Sequence, residues 1–326
     1  MAVLLTGLIW PGSAPAPLIY TPGEGWTYEP VGSEGRWRRA RAKDQLDVAQ
    51  EAFERGEYGL ALKAARRVVR QWPLSDYAPE AQFLIARCFE ARKQDERAFR
   101  EYQKFIEKYP MSDQFNEALR RQYEIALRFL GGQWFKLWGY IPFFPSMSKT
   151  AEMLEKVVAN GPYSDIGPAA QMSLGTAYEK ARDYDLAVKA YETAADRYSD
   201  RPQVAADALY RAGLAWLKQA RTAEYDQSAA GKAIAVFTDF MALYPNDPRA
   251  VEARDHIAAL RAEQARGHYE IARFYEKRRQ WAGALIYYNE VLLLDPTSRY
   301  AEEARERIEA LKPRVRPSQT TAQVQP

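Results

Sequence analysis

The chain holds one cysteine and two histidines in 326 residues, and these limit the chemistry it could perform. A metal site or a nucleophile–base pair needs such groups to converge on one point. His256 and His268 are twelve residues apart. In helical register they share roughly one face but sit about three turns from each other, too far to hold one metal. His268 also takes a core-facing position. Cys88 lies beside Ile85 and Phe89 on an apolar face, where a thiol packs as a small hydrophobe, and a lone cysteine builds no disulfide framework. The acid pairs Asp95-Glu96 and Glu302-Glu303 fall on helix starts and helix surfaces. The sequence contains no glycine-rich phosphate loop, nucleophile elbow or HExxH motif. The expectation is a protein that is not an enzyme, with no catalytic residue, no metal and no cofactor.

Binding chemistry is better represented. Between Trp134 and Phe144 stand six aromatics in eleven residues: Trp134, Phe135, Trp138, Tyr140, Phe143 and Phe144. Pro142 and Pro145 prevent a regular helix at the end of this stretch. Three readings stand side by side: a loop tucked into a gap between helices, a partner-binding hot spot, or an insertion into a membrane interface aided by Lys136. A basic cluster, Arg36, Arg38, Arg39, Arg41 and Lys43, precedes the first helix and is a candidate surface for anionic head groups, a peripheral membrane contact. Net charge is +3, with 46 basic residues against 43 acidic ones. That balance leaves no continuous basic stripe, so no nucleic-acid partner is expected. A small-molecule substrate is not expected either.

The elements behind these residues are amphipathic helices in series. In 165–198 the first helix places Leu174, Gly175 and Tyr178 on one face, and the second carries Ala187, Tyr191 and Ala194. Small residues stand where two helices cross closely, and aromatics fill the space beside them. The second-helix pattern recurs at Ala98/Tyr102/Phe105/Pro110, Ala233/Phe237/Phe240/Pro245 and Ala284/Tyr288/Val291/Pro296. Looser copies are Ala61/Ala65/Val68/Pro73 and Thr150/Leu154/Val157/Pro162. The breaks at Pro73, Pro110, Pro162, Ser199, Pro245 and Pro296 lie 37, 52, 37, 46 and 51 residues apart, a base period of 37 with insertions. No run of alternating β-branched residues bounded by turns is present, so the expectation is all-α.

This pattern resembles the tetratricopeptide repeat, a helix–turn–helix unit of about 34 residues. Turns such as WPLSDYAPEAQ and YPMSDQFNEA, with the closing stretch from His268 to Pro296, resemble the BamD family of outer-membrane assembly lipoproteins. The resemblance spans about 44–311. It implies a right-handed α-solenoid of about six tetratricopeptide-like helix pairs with a C-terminal capping helix. It also implies a non-catalytic periplasmic scaffold at the inner face of the outer membrane. Such a scaffold takes part in inserting β-barrel proteins by binding a BamA-like subunit and unfolded outer-membrane proteins. By the same resemblance, the first repeats would hold substrate segments and His268–Leu311 would face the BamA-like subunit. The alternative is another periplasmic tetratricopeptide scaffold, Tol–Pal-associated or coordinating the cell envelope.

Domain boundaries follow from composition. Residues 1–16 form an apolar, signal-like segment ending in Ala14-Pro15-Ala16, which implies export. Residues 17–38, rich in Pro, Gly and aromatics, are expected to form an extended arm. A single solenoid is expected over 39–312, with an aromatic insert at 131–147 and a long helical segment at 248–279. Residues 313–326 are expected to be a disordered tail.

Overall fold

The computed structural model describes residues 18–21, 25–28, 37–137, 141–222 and 227–315. The signal-like segment, Arg36 and all but the start of the tail lie outside the described residues. Thirteen α-helices are present among those described: α1 (Ala42–Glu54), α2 (Tyr58–Gln71), α3 (Ala78–Ala91), α4 (Asp95–Lys108), α5 (Phe115–Leu130), α6 (Met147–Asn160), α7 (Gly167–Ala181), α8 (Tyr184–Arg197), α9 (Pro202–Thr222), α10 (Gln227–Leu243), α11 (Arg249–Lys277), α12 (Trp281–Leu294) and α13 (Arg299–Leu311). The class is the expected all-α tetratricopeptide solenoid, six helix pairs and a closing helix. Two compact units divide it, Met1–Ala170 and Gln171–Pro326. None of the described helices is long and apolar enough to cross a membrane.

The sequence breaks set the helix ends. Each second helix stops two residues before its break: α2 at Gln71, α4 at Lys108, α6 at Asn160, α8 at Arg197, α10 at Leu243 and α12 at Leu294. A residue before proline is driven out of the helical region. Trp72, Tyr109, Gly161 and Asp295 accordingly carry ψ values of 60°, 56°, 64° and 86°. Within the pairs, the turn between helices closes on a left-handed residue, Gly56, Lys93, Gly132, Arg182 or Arg279. The residue after it donates its N–H back to the first helix, as in Gln94 to Phe89 (2.9 Å) and Asp183 to Tyr178 (2.9 Å).

In the first unit, Ala49 and Ala52 of α1 and Ala61, Ala65 and Val68 of α2 are all fully buried. Phe83 of α3 meets Tyr102 and Phe105 of α4 edge-on, each with ring centroids 5.6 Å apart. In the second unit, α8 to α11 share one core around Tyr191, Tyr210, Phe237 and Phe240. α11 runs unbroken through Gly267. Its first half, with Ala253, Ile257 and Leu260, joins that core, while Ala265, Tyr269 and Ala272 join a second one with α12 and α13.

A polar device recurs in three of the pairs. Tyr102, Tyr191 and Tyr288, all fully buried, donate their hydroxyls to Glu90, Glu179 and Glu276, twelve residues earlier, at 2.8, 2.6 and 2.7 Å. Each carboxylate then takes a cation from a following helix: Arg121 and Arg128 on Glu90, Lys218 on Glu179, Arg307 on Glu276. One acid thus fixes the two helices of its own pair and a helix of the next. Burial first, and the adjacent carboxylate second, push all three phenols above their ordinary range.

The expectation of no strands is corrected at two places. β1 (Leu18–Thr21) pairs antiparallel with β2 (Gly25–Tyr28), and β3 (Phe135–Leu137) with β4 (Ile141–Phe144). A search for alternating β-branched residues passes over both hairpins, because their strand formers are mainly Trp, Tyr and Phe. Within the arm expected at 17–38, Leu18–Thr21 and Gly25–Tyr28 are paired strands.

Candidate functional site

The first helices of the first unit line a hollow of ≈ 580 Å³. From α1 come Gln50, Phe53 and Glu54, and from α3 come Glu80, Phe83, Leu84 and Arg87, with Tyr58 and Gln114 at the ends. Steps of three and four put each set on one helical face. The floor is apolar and aromatic: Phe53 lies 5.4 Å from Tyr58, and Phe83 is buried. The rim is polar. Arg87 sits over the Phe53 ring at 4.6 Å, and Gln50 Nε2 donates to Glu80 Oε1 at 2.6 Å. The Oε1 of Gln114 is buried and has no hydrogen-bond partner. An aromatic floor beneath a polar rim that carries a cation suits an extended peptide laid side chain down.

A second cluster joins α3, α4 and α5 to the aromatic insert. Asp95, buried at the start of α4, accepts from Arg128 at 2.9 and 3.2 Å and from Gln133 Nε2 at 2.7 Å. Arg128 also reaches Glu90 at 3.3 Å. Among the described residues, no group of three or more His, Cys, Asp or Glu is placed to hold a metal. Cys88 is fully buried, and desolvation raises its thiol to about 11.

The aromatic insert is divided between core and surface. Phe135 is 6% exposed and stacks on Phe129 at 4.3 Å, so its placement as a partner-contact residue is corrected to a core anchor. Lys149 clasps Phe135 and Phe144 at 5.4 and 5.2 Å. Trp134 is 52% exposed. The side chains of Trp138, Tyr140 and Phe143 lie outside the described residues. Within the basic cluster, Arg38 lies over Trp37, and Arg39 donates to the Arg38 carbonyl at 3.0 Å. Arg38, Arg41 and Lys43 are exposed, and Arg39 is half-buried.

The sequence reading missed the groove residues and the carboxylates at the hinges of three of the pairs. Gln50, Phe53 and Glu54 lie on the first helix of a unit whose pattern is loose, so no single position announces a floor. The carboxylates had a usable signal, a glutamate twelve residues before each repeated tyrosine.

His256 and His268 are separate, as expected. His256 packs 5.3 Å from the Phe237 ring, and His268 lies 5.7 Å from Tyr287.

Residues 145–294 match the model of the YfiO family, described as outer membrane lipoprotein, and residues 80–112 match a tetratricopeptide repeat model. No curated protein matches the chain. Similar solved structures include MamA from Desulfovibrio magneticus RS-1, 18% identical, covering 64% of this chain and 97% of that one at a TM-score of 0.32. YrrB, described as a TPR protein with an unusual peptide-binding site, is 13% identical over 66% of this chain and 92% of its own, with a TM-score of 0.33. A thermophilic TPR protein of Thermus thermophilus is 16% identical over 66% of this chain and 98% of its own, with a TM-score of 0.29.

Proposed function

We propose, from the premise that the chain is a tetratricopeptide-repeat protein of the BamD-like YfiO family of outer membrane lipoproteins, that it acts by binding alone as a scaffold for outer-membrane protein assembly. It works in the periplasm at the inner face of the outer membrane, holding unfolded segments of β-barrel proteins and docking a BamA-like subunit. The observation that carries this reading is the groove of the first unit. Its aromatic floor and the Arg87 cation on its rim meet the needs of an extended chain laid side chain down. Affinity in such a groove comes from several weak contacts along the segment.

A photo-reactive phenylalanine analogue at position 53, in the full chain within its native envelope, tests it. The expected adducts are unfolded barrel precursors, and they are competed by excess unlabelled precursor. Adducts only to folded soluble proteins, unaffected by precursor, would overturn the reading.

A further inference from the structure

The turns that join one helix pair of the first unit to the next share a single construction. Each spans four residues, 72–75, 109–112 and 161–164. The N–H of Ser75, Ser112 or Ser164 closes it on the carbonyl of Trp72, Tyr109 or Gly161, at 3.1, 3.1 and 3.2 Å. Proline holds the second position, where its fixed φ suits the turn. The third position is the tip. It carries Leu74, Met111 and Tyr163, which are 96%, 96% and 80% exposed, more than any other large apolar side chain among the described residues of that unit.

The turn itself does not call for them. The second unit builds the same turn three times, with the N–H of Arg201, Asp247 and Ser298 on the carbonyls of Tyr198, Tyr244 and Asp295 at 2.9, 3.1 and 3.3 Å. There the tips are Asp200, Asn246 and Thr297, the polar types that tight turns ordinarily use. One exposed apolar residue needs no explanation. The same position filled three times in succession, against a polar residue in every copy of the other unit, does.

Connectivity sets the three tips in a row. In antiparallel pairs stacked side by side, the turns within pairs lie along one edge and the turns between pairs along the other, with neighbouring helices about 8–10 Å apart. Asn160, at the end of α6, donates to Gln103 of α4 and Gln122 of α5 at 2.8 and 3.1 Å, which holds the third turn alongside the second. The start of α1 lies on the same edge. Exposed cations flank the tips: Arg41 and Lys43 at the start of α1, Arg70 and Lys108 in the last turns of α2 and α4. Exposed acids stand there too, Asp76, Asp113 and Asp165, each two residues past its tip, with Asp44 on α1.

This combination selects the occupant. A folded protein partner is held by anchors gathered at the centre of one desolvated patch. Separate tips with both signs of charge between them suit a surface that yields around each side chain. A phospholipid surface does so: its phosphates take Arg and Lys, its ammonium groups take Asp, and its acyl boundary takes the apolar tips. The intervening aspartates also make the edge a poor match for a polyanion. We infer that this edge of the first unit is a lipid-contacting face, on which Leu74, Met111 and Tyr163 seat in the boundary between head groups and acyl chains, and Arg70 and Lys108 bind lipid phosphates beside them. The contact does not rest on the assembly function proposed above.

The test is flotation of the full chain with vesicles of phosphatidylethanolamine and phosphatidylglycerol. The wild-type chain should float. The combined variant Leu74→Ser, Met111→Ser and Tyr163→Ser should bind at least about tenfold more weakly, since three apolar side chains no longer leave water. Leu127→Ser, toward the far end of α5 from these turns, should bind as the wild type does. Far-ultraviolet circular dichroism checks that helicity is kept in each. Met111→Cys carrying an environment-sensitive dye should shift to the blue when vesicles are added. Equal flotation of the wild type and the triple variant would place the contact on another surface and overturn the inference. So would a wild-type chain that does not float, or a dye at position 111 that does not shift. If the tips prove necessary for flotation and depletion of the chain leaves barrel proteins unchanged, the lipid edge stands and the assembly reading falls.

Discussion

Gly175 in α7 offers a test in which two well-known effects oppose each other. Replacing a helix-interior glycine by alanine favours the helix by about 1 kcal/mol. At Gly175, however, an added methyl would run into the ring of Tyr191, which is fully buried. Tyr191 cannot swing aside freely, because its hydroxyl donates to Glu179 at 2.6 Å. Overpacking costs about 1–3 kcal/mol, and losing a hydrogen bond to a charged group costs about 1.5–3 more if the ring moves. The steric term wins, and Gly175→Ala should destabilise by about 1–3 kcal/mol net. Gly231 in α10 is the matched control in the same unit. Nothing lies within 4 Å of a methyl there, so Gly231→Ala should stabilise by about 0.5–1 kcal/mol. Urea unfolding followed by far-ultraviolet circular dichroism reads both variants. Adding Tyr191→Leu to Gly175→Ala should recover part of the loss. If Gly175→Ala stabilises as much as Gly231→Ala, the close crossing of α7 and α8 is not the packing contact described.

Four further outcomes follow from the geometry. Phe135→Ala should cost about 3 kcal/mol, as for a buried aromatic, while Trp134→Ala should change stability by under about 1 kcal/mol, both measured by denaturant unfolding. Asp95→Asn should weaken the Arg128 and Gln133 contacts and raise hydrogen exchange at 133–137, with helicity retained. Cys88 should react slowly with a thiol reagent at neutral pH and fully in urea. Because its folded pKa of about 11 lies above the unfolded value, its contribution to stability is complete below pH 9.0 and is lost as pH rises toward 11. Tyr102, Tyr191 and Tyr288 follow the same sign: stability is complete below pH 10.0 and lost above it, and their tyrosinate absorbance should appear only with unfolding.

What the sequence made legible was periodic, and what it hid was local. Pro73, Pro110, Pro162, Pro245 and Pro296 located the ends of five of the six second helices, because proline acts on the residue before it wherever it stands. Arg299–Leu311 was legible as the closing helix from the spacing of Ala301, Ala304, Ile308 and Leu311. The insert was legible as a departure, but its aromatics could not be sorted. Phe135 became core only because α5 ends at Leu130, capped by Gly131, and the chain returns over Phe129, a three-dimensional fact with no sequence period. The hairpins were missed because aromatic strands do not alternate like β-branched ones. The groove was missed because its floor is shared by the first helices of successive helix pairs, and no single helix carries it.

The central claim is that this scaffold serves outer-membrane β-barrel assembly. Its most direct test is depletion of the chain in its native host, followed by the abundance of folded, heat-modifiable barrel proteins in the outer membrane. The account predicts that folded barrels fall and unfolded precursors accumulate in the periplasm, with restoration by the wild-type chain. Unchanged barrel levels after complete depletion would contradict it.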